Sequence, residues 1–303
     1  MWILFVPFVI AFLIIVGIIL FVIRKWKVAF LIITIALLLN WLTECFPINV
    51  FCKDKRGELR LLSYNMMGCM GSESYINSTK DLTHLIELID SIDADIVLLQ
   101  EYYPISNKSF LDSMKVRYRY VELMDSLNTG KVVFSKYNMV VKNLLHESQT
   151  TIISMNIHSR DIELMNCYLQ SNGISMVNSQ IKCNSYMELL LNYYSNICSG
   201  YQVRYKQASE IGDYIKKNCT DVIVCGDLND ICGSETLRAI MGDKLKDAWW
   251  SVGYGYGNTY YYHHLYFRLD HCLFSPGLKP IGAKVIKRAK FSDHYPLVID
   301  FDI

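Results

Sequence analysis

The sequence predicts one α/β domain behind an apolar N-terminal segment. Short apolar runs rich in β-branched residues, such as residues 96–99 and 222–225, are typical of buried strands. Segments with a period of 3.6 residues, at residues 79–92, 180–194 and 205–217, are typical of helices that cover a sheet from outside. About 250 residues follow the apolar segment, which is enough for one sizeable core between two sheets.

The apolar segment predicts a membrane anchor. Residues 1–23 contain no charged side chain, and this run meets the length of about 20 residues that a helix needs to cross a bilayer. A basic turn at residues 24–27 interrupts the run, which then resumes. We interpret residues 1–52 as a membrane anchor of two transmembrane helices, at about 1–23 and 28–46, followed by the α/β domain at 57–303. A secretory signal peptide is the alternative, but no basic residue precedes the run and no small-x-small cleavage site follows it.

Lysines and arginines beside the predicted helices bear on their orientation in the membrane. The charges of the turn are packed into four residues, and none precedes the first helix, so we expect the turn in the cytoplasm and the domain across the membrane. The segment after the second helix carries as many basic residues as the turn, so the number of basic residues alone barely favours one orientation. The turn has Arg24, Lys25 and Lys27, and the later segment has Lys53, Lys55 and Arg56.

Polar side chains recur beside the predicted strands. A single acid at the end of a strand is often a turn former or a helix cap. Five clusters with the same placement instead indicate a site where a sheet opens to solvent. The clusters are Ser63-Tyr64-Asn65, Gln100-Glu101, Gly226-Asp227-Leu228-Asn229, Arg268-Leu269-Asp270 and Ser292-Asp293-His294.

Taken together, these clusters resemble the endonuclease/exonuclease/phosphatase superfamily, the metal-dependent phosphoesterases with a deoxyribonuclease-like fold. The resemblance rests on the order and approximate spacing of the clusters and spans nearly everything after residue 57. It implies a four-layer α/β sandwich, in which two packed, mostly antiparallel sheets are flanked by helices. It also implies a hydrolase that attacks a phosphate ester with water and depends on Mg²⁺ or Mn²⁺.

The resemblance further implies a set of metal ligands. Glu101 corresponds to the principal ligand, Asn65 supports it, and Asp293 corresponds to an acid that joins the site at least partly through water. The residue types fit, because Mg²⁺ prefers carboxylate and carbonyl oxygens. Taken alone, Asn65 is equally well explained as a turn residue.

Four more residues are expected to act on the phosphate or on the attacking water. His294 faces the phosphate, as a base or as a cationic clamp, and Asp270 fixes the orientation of its ring. Asp227 orients or deprotonates the water, and Asn229 holds a phosphate oxygen. Like charges crowded near a metal spread the pKa values of carboxylates, which suits acid–base chemistry.

One position departs from the commoner pattern of the superfamily. Many members carry Asn-x-His-Leu at the end of a central strand, where this chain has Asn166-Cys167-Tyr168-Leu169. Tyr168 therefore replaces a second catalytic histidine, as a tyrosine does at about this place in the abasic-site endonuclease branch. A phenol can donate to a phosphate oxygen, although it is a poor base near neutral pH. Packing is the alternative role for Tyr168, and we expect Asn166 to support the site by hydrogen bonding.

The net charge of the chain and its predicted membrane anchor bear on which substrates to expect. A formal net charge of +1 lacks the strong basic bias of a dedicated DNA-binding protein. The shared machinery of the superfamily leaves a lipid head group, a nucleotide or nucleic acid open as the substrate. The aromatic stretch at residues 254–267 suits apolar or base-stacking contacts and does not separate these. No protein partner is implied.

The resemblance also bears on location and on an alternative function. Membrane-anchored members with this layout are bacterial, so we expect a multi-pass protein of the inner membrane with a periplasmic domain. Some relatives have lost their metal ligands, so a catalytically inactive binding module on the same fold is the alternative. In this chain every principal position is filled, and Tyr168 is the one departure.

The ten cysteines form no CxxC pair, which argues against a zinc site. Cys225 and Cys272 lie in predicted strands, and we expect them to be buried thiols. Cys183 and Cys198 flank the region 171–203 and could pair if that region lies outside the cytoplasm.

Overall fold

The computed structural model describes residues 5–50, 55–67, 79–102, 108–124, 130–171, 186–218, 220–262, 265–289 and 291–303. Its helices are α1 (Val6–Val22), α2 (Trp26–Thr43), α3 (Thr79–Ile92), α4 (Lys108–Arg117), α5 (Tyr186–Lys217), α6 (Glu235–Met241) and α7 (Ala248–Val252). Its strands are β1 (Leu59–Asn65), β2 (Ile96–Gln100), β3 (Tyr120–Met124), β4 (Lys131–Ser135), β5 (Met139–Leu145), β6 (Thr150–Ile157), β7 (Arg160–Tyr168), β8 (Asp221–Asp227), β9 (Lys246–Asp247), β10 (Tyr260–Tyr262), β11 (Leu265–Phe267), β12 (Asp270–Phe274), β13 (Lys279–Val285) and β14 (Leu297–Asp302).

The strands form two six-stranded sheets and a separate two-stranded ribbon. The first sheet has the order β13-β14-β1-β2-β4-β3, and the second has the order β5-β6-β7-β8-β12-β9. Among the described strands, each sheet holds one parallel pair, β1 with β2 and β7 with β8, and its other pairs are antiparallel. The ribbon consists of β10 and β11. The predicted pair of mostly antiparallel sheets is confirmed.

The sheets pack face to face, with helices on both outer faces. Leu61 and Leu98 of the first sheet share a buried cluster with Leu164 and Ile223 of the second. The opposite face of the first sheet packs against α3 and α4, and that of the second sheet against α5 and α6. Because the central strands are buried on both faces, their sequences are continuous apolar runs rather than alternating ones. The predicted four-layer sandwich is confirmed.

Two helical segments predicted separately belong to one helix. Residues 205–217 form the C-terminal part of α5, which begins at Tyr186, and residues 180–185 lie outside the described part of the chain. No proline separates the two segments, and the single Gly200 costs only about 1 kcal/mol in a helix interior. The helix therefore continues through the glycine.

We call α1, α2 and the turn between them the helical hairpin. Trp26–Thr43 is long and apolar enough to cross a membrane by length and composition, and Val6–Val22 is a shorter apolar helix. Helix α2 begins two residues before the predicted 28 and ends three residues before the predicted 46. Helix α2 ends at Glu44, which has a left-handed backbone (φ 53°), and Pro47 follows because it cannot continue a helix. Beyond α2, Cys45 is buried with its Sγ 2.7 Å from the Sγ of Cys232 in the sandwich.

Candidate active site

The polar clusters predicted from the sequence meet at one edge of the sandwich. Strands β1 and β2 are parallel and pair Asn65 with Gln100, so Asn65 and Glu101 leave the first sheet side by side. Strands β8 and β12 are antiparallel and pair Asp227 with Asp270. Asp270 and His294 therefore lie at or just before the starts of their strands, because β12 and β14 run opposite to β8 and β1. We call this region the site edge.

The end of β8 is fixed by close contacts with its neighbours. Gly226 has a φ of 142°, and a Cβ there would overlap the carbonyl oxygen of Cys167 in β7. The carbonyl oxygen of Asp227 accepts a hydrogen bond from the backbone nitrogen of Leu169 at 3.0 Å. A side chain at position 226 would push the strands apart, so glycine is needed directly before Asp227.

Asp227 is buried and multiply hydrogen-bonded. Its Oδ2 accepts from the side-chain nitrogen of Asn65 at 2.9 Å and from that of Asn229 at 3.2 Å, and its Oδ1 accepts from the backbone nitrogen of Asn229 at 2.9 Å. Burial raises the pKa of Asp227 to about 7, against the lowering effect of His294 and with a further rise from Asp270. The carboxyl can therefore gain or lose a proton near neutral pH.

His294 lies between two carboxylates. Its Nδ1 is 2.8 Å from Oδ2 of Asp270, and its Nε2 is 3.7 Å from Oδ2 of Asp227. Burial works against the charged ring, but Asp270 and Asp227 outweigh it and raise the pKa of His294 to about 10. The ring is therefore a buried cation at neutral pH in the metal-free protein.

Two neighbours of this histidine were not predicted. The ring of Tyr260 lies edge-on to that of His294, with centroids 4.9 Å apart, and the two residues form an isolated β-bridge. The hydroxyl oxygen of Thr259 accepts from the backbone nitrogens of Leu269 and Asp270, at 3.1 and 3.0 Å. The sequence marks 254–267 only as an aromatic stretch, and the contacts depend on long-range pairing that no local pattern shows.

Glu101, Asn65 and Asp293 form the second part of the site edge. The side-chain nitrogen of Asn65 donates to Oε1 of Glu101 at 3.0 Å as well as to Asp227, and its Oδ1 accepts from the backbone nitrogen of Met67 at 2.9 Å. Burial raises the pKa of Asp293, against the lowering effect of His294, and the Glu101 carboxylate raises it further. Asn65 thus links the predicted metal ligand Glu101 to the predicted base Asp227.

Asp227, Asp270 and His294 could also hold a metal, since their ligand atoms all lie within 4.8 Å of one another. Nδ1 of His294 is held by Asp270 at 2.8 Å, so Nε2, 3.7 Å from Asp227, is the ring nitrogen that such a metal would use. The carboxylates of Glu101 and Asp293 lie near enough to interact and offer the hard oxygens that Mg²⁺ prefers.

The remaining predicted residues lie at or just beneath the site edge. Tyr168 ends β7 in register with Asp227 and is half-buried. Asn229 has a left-handed backbone (φ 52°), and its side-chain nitrogen donates to the carbonyl of Leu169 at 2.9 Å and to Asp227. In this arrangement Asn229 orients Asp227, and its contact with a phosphate oxygen stays a prediction.

Asn166 connects the two sheets beneath the site edge. Its side-chain nitrogen donates to the carbonyls of Leu99 and Val132, at 3.0 and 3.1 Å, and its Oδ1 accepts from Gln100 at 2.7 Å. Asn166 therefore affects the site indirectly, by holding Gln100, the residue that precedes Glu101. The connecting role of Gln100 was not predicted, because it depends on the packing of one sheet on the other.

A buried ionic cluster lies beside the site edge. Arg268 is fully buried and donates to Oδ2 of Asp247 at 2.7 Å, and Nδ1 of His271 lies 3.5 Å from the same oxygen. Burial opposes the charge of Asp247, but Arg268 and His271 hold its pKa well below the usual range. Arg268, which the sequence places in a site motif, is thus a structural residue two positions before Asp270.

Two predictions about cysteines have different outcomes. Cys225 and Cys272 are buried free thiols, and they lie at opposite positions of the antiparallel strands β8 and β12. The prediction of buried thiols is confirmed. Cys183 lies outside the described residues, so its pairing with Cys198 stays a prediction.

Comparison with known families and structures agrees with this architecture. A model described as the Endonuclease/Exonuclease/phosphatase family matches residues 62–294, which include all five clusters. No curated protein matches the chain in sequence.

Several solved structures share the fold. TDP2 of D. rerio, complexed with a single-strand DNA product, is 17% identical, with 81% of this chain and 99% of that chain covered and a TM-score of 0.60. An AP endonuclease from Archaeoglobus fulgidus is 19% identical, with 81% and 100% covered and a TM-score of 0.57. A mannosyl-6-phosphatase of Bacteroides thetaiotaomicron VPI-5482 is 15% identical, with 81% and 100% covered and a TM-score of 0.58. At these identities the similarity shows the fold alone.

Proposed function

The chain belongs to the endonuclease/exonuclease/phosphatase family, whose members are phosphoester hydrolases, and on that premise we propose that it is a membrane-tethered, divalent-metal-dependent phosphoesterase. One observation supports this most strongly. Asn65 is hydrogen-bonded both to Glu101 and to Asp227, which lies next to the His294–Asp270 pair. A carboxylate suited to a metal and a set of acid–base groups thus lie within one hydrogen-bonded cluster.

The residues at the site edge fit a divalent cation. Glu101 and Asp293 are carboxylates close enough to repel each other, and in the described part of the chain neither is ion-paired with a lysine or arginine. Two like charges that no described lysine or arginine pairs with favour the binding of a positive ion, although His294 offsets part of the charge of Asp293. We propose that Glu101 and Asp293 would hold Mg²⁺ or Mn²⁺, with Asn65 orienting Glu101. Such an ion would neutralise negative charge that develops on the phosphate.

The protein's own groups supply acid–base chemistry and positioning. Asp227 has a pKa near 7, so it can orient the attacking water and accept its proton. His294 is positively charged and can donate to a phosphate oxygen, while Asp270 fixes its ring through Nδ1. Tyr168 is placed beside Asp227 and has a hydroxyl that can donate to a second phosphate oxygen. Asn229 and Asn166 position these groups.

We propose that residues 1–52 anchor residues 57–303 in the inner membrane of a bacterium. The basic turn of the helical hairpin lies at the end farthest from the sandwich, because α2 leads from the turn directly into it. By the bias of basic residues toward the cytoplasm, the turn would be cytoplasmic and the catalytic domain periplasmic.

Metal-dependent turnover by the full chain in detergent micelles tests this function. We expect bis-p-nitrophenyl phosphate to be hydrolysed with Mg²⁺ or Mn²⁺ and not with a chelator. Glu101→Ala should remove that turnover, and the matched control Glu87→Ala, at an exposed position on α3, should retain it. Turnover that survives in Glu101→Ala would refute the assignment, and a folded wild type without turnover would favour the inactive binding module.

A further inference from the structure

The outer surface of the helical hairpin is apolar and exposed. The seam between the helices is buried, where Gly17 meets Ile33 and where Ala29 and Ala36 are fully covered, and Ile10 is buried with Cys232 at the junction with the sandwich. On the outer faces the large side chains are open, including Phe12, 64% exposed, and Trp41, 67% exposed. An apolar surface of this extent is covered in a stable protein. Trp26 and Trp41, near the two ends of α2, are of the type enriched at the two membrane–water interfaces.

The hairpin is fixed to the sandwich by specific contacts at one end. The side-chain nitrogen of Asn49 donates to the carbonyls of Trp250 and Gly253, at 3.0 and 2.9 Å. Ile48 and Tyr254 form an isolated β-bridge. These contacts begin within a few residues of the end of α2, so the sandwich is held against the end of the hairpin.

A short chain of aromatic contacts joins this end of the hairpin to the site edge. The ring of Phe8 in α1 meets that of Phe267 in β11, with centroids 6.0 Å apart. Phe267 is the cross-strand partner of Tyr260 in β10. The ring of Tyr260 lies 4.9 Å from that of His294. Two side chains therefore separate the site histidine from an apolar helix.

This geometry sets the height of the site above a bilayer. Directly opposite residues of an antiparallel pair are about 5 Å apart, so His294 lies on the order of 15 Å from Phe8. The polar head-group layer is roughly 5–8 Å thick on each side of the hydrocarbon core. If α1 and α2 are embedded, His294 lies within about 15 Å of an embedded side chain, at or near the head-group layer of the leaflet nearer the sandwich.

The surface beside this junction suits a membrane interface. Ile48 and Tyr254 are 71% and 67% exposed, and they lie where the hairpin joins the sandwich. Aromatic and aliphatic side chains at such a position insert at the boundary between head groups and acyl chains. The formal net charge of +1 lacks the overall basic bias that is typical of dedicated nucleic-acid-binding proteins.

We propose that the substrate is the phosphate ester of a membrane lipid head group, taken from the leaflet nearer the sandwich. This inference rests on the proposed phosphoesterase function and adds the substrate class. A lipid in that leaflet presents its phosphate beside the site edge.

The test uses the full chain in phosphatidylcholine vesicles that contain phosphatidylglycerol, phosphatidic acid or sphingomyelin. Turnover of these lipids is compared with that of bis-p-nitrophenyl phosphate, of the water-soluble head-group diester glycerophosphoglycerol, and of single-stranded DNA. We expect at least one vesicle lipid to be hydrolysed at least about tenfold faster than the soluble diester and the DNA, because the hairpin holds the site at the surface.

Interface variants separate membrane contact from catalysis. Ile48→Ser combined with Tyr254→Ser should lower lipid turnover at least about fivefold, because two apolar side chains leave the interface. Hydrolysis of bis-p-nitrophenyl phosphate should change less than about twofold, since neither residue belongs to the site edge. The matched control Val116→Ser, at an exposed position on α4, should change neither rate.

The outcomes distinguish this inference from the proposed function. Hydrolysis of bis-p-nitrophenyl phosphate without hydrolysis of any vesicle lipid, or with faster cleavage of DNA, would overturn the lipid assignment and leave the phosphoesterase in place. An equal loss of both rates in the interface variant would also overturn it. A folded wild type that hydrolyses no phosphate ester at all would remove both proposals.

Discussion

The site edge and the helical hairpin are stabilised by opposite kinds of interaction. At the site edge, the buried ring of His294 lies between the carboxylates of Asp227 and Asp270, and Asn65 donates to Asp227. The hairpin buries an apolar seam and a small contact with the sandwich, and most of its large apolar side chains on the outer faces are exposed. Buried charges tolerate little change, because removing one leaves another unpaired. Exposed positions on the hairpin should tolerate exchange of one apolar residue for another, because most of them contact no specific partner among the described residues.

This contrast separates two kinds of substitution. A change at the site edge should alter chemistry and leave membrane attachment intact, and a change on the outer face of the hairpin should do the reverse. Arg268 connects the two regions, since it precedes Asp270 by two residues and its Nη2 lies 3.5 Å from the carbonyl of Glu44 at the end of α2.

The largest effect is expected at the site edge. His294→Ala and Asp227→Asn should each lower kcat on bis-p-nitrophenyl phosphate by about 10²- to 10⁴-fold, because each removes a group that moves or holds a proton. The protein should stay folded and in the membrane fraction. The control His84→Ala, at an exposed position on α3, should keep wild-type turnover. A near-normal kcat in either site variant would contradict the assignment of the chemistry to the site edge.

The connection between the regions is tested by Asp247→Ala. This change leaves Arg268 buried without its partner and should lower the free energy of unfolding by about 3–5 kcal/mol in a urea titration. Asp302→Ala, which removes an exposed carboxylate 4.0 Å from Lys279, should cost about 0–1 kcal/mol. Equal losses in the two variants would show that the buried pair does not connect the regions.

The hairpin is tested by Ile15→Arg on the exposed face of α1. An arginine near the centre of a membrane helix costs about 2.5–3.5 kcal/mol, so less of the chain should resist extraction of membranes at alkaline pH. Turnover of bis-p-nitrophenyl phosphate per folded molecule should not change. The control Ile15→Leu should behave as wild type. Extraction of the two variants to the same degree would argue against an embedded hairpin.

A smaller effect is expected from pH, with a chelator present. The raised pKa of His294, about 10, means that its protonated ring stabilises the fold fully below about pH 6.5 and progressively less as the pH rises to 10. The free energy of unfolding should therefore fall between pH 7 and 10 by more than about 1.4 kcal/mol, the equivalent of one pKa unit. His294→Gln should lose this slope, and His84→Gln should keep it. A flat wild-type profile would contradict the buried cation.

The layers and the clusters could be predicted from the sequence because they depend on local patterns. Apolar runs identified the central strands, and polar residues beside them identified Asn65, Glu101 and Asp227. The clusters of Asp270 and His294 were also found from the sequence, but their roles came from the family resemblance, because no local pattern gives the direction of β12 and β14. Their positions follow from antiparallel pairing with β8 and β1.

The contacts that the sequence did not predict all join distant segments. Tyr260 meets His294 because a ribbon far along the chain folds back over the site edge. Gln100 and Asn166 connect two sheets that pack only in the finished fold. The orientation of Asn229 toward Asp227 depends on a left-handed backbone that asparagine adopts more readily than most residues, which is a local signal that could have been used.

Binding of Mn²⁺ tests most directly whether residues from position 65 to position 294 form one metal-dependent site. The full chain in detergent micelles is titrated with Mn²⁺ while the signal of the free ion is followed by electron paramagnetic resonance. We expect saturable binding to wild type and to Glu87→Ala, and an affinity at least about tenfold lower in Glu101→Ala and in Asp293→Ala. Equal affinity in all four proteins, or no binding to wild type, would contradict the account.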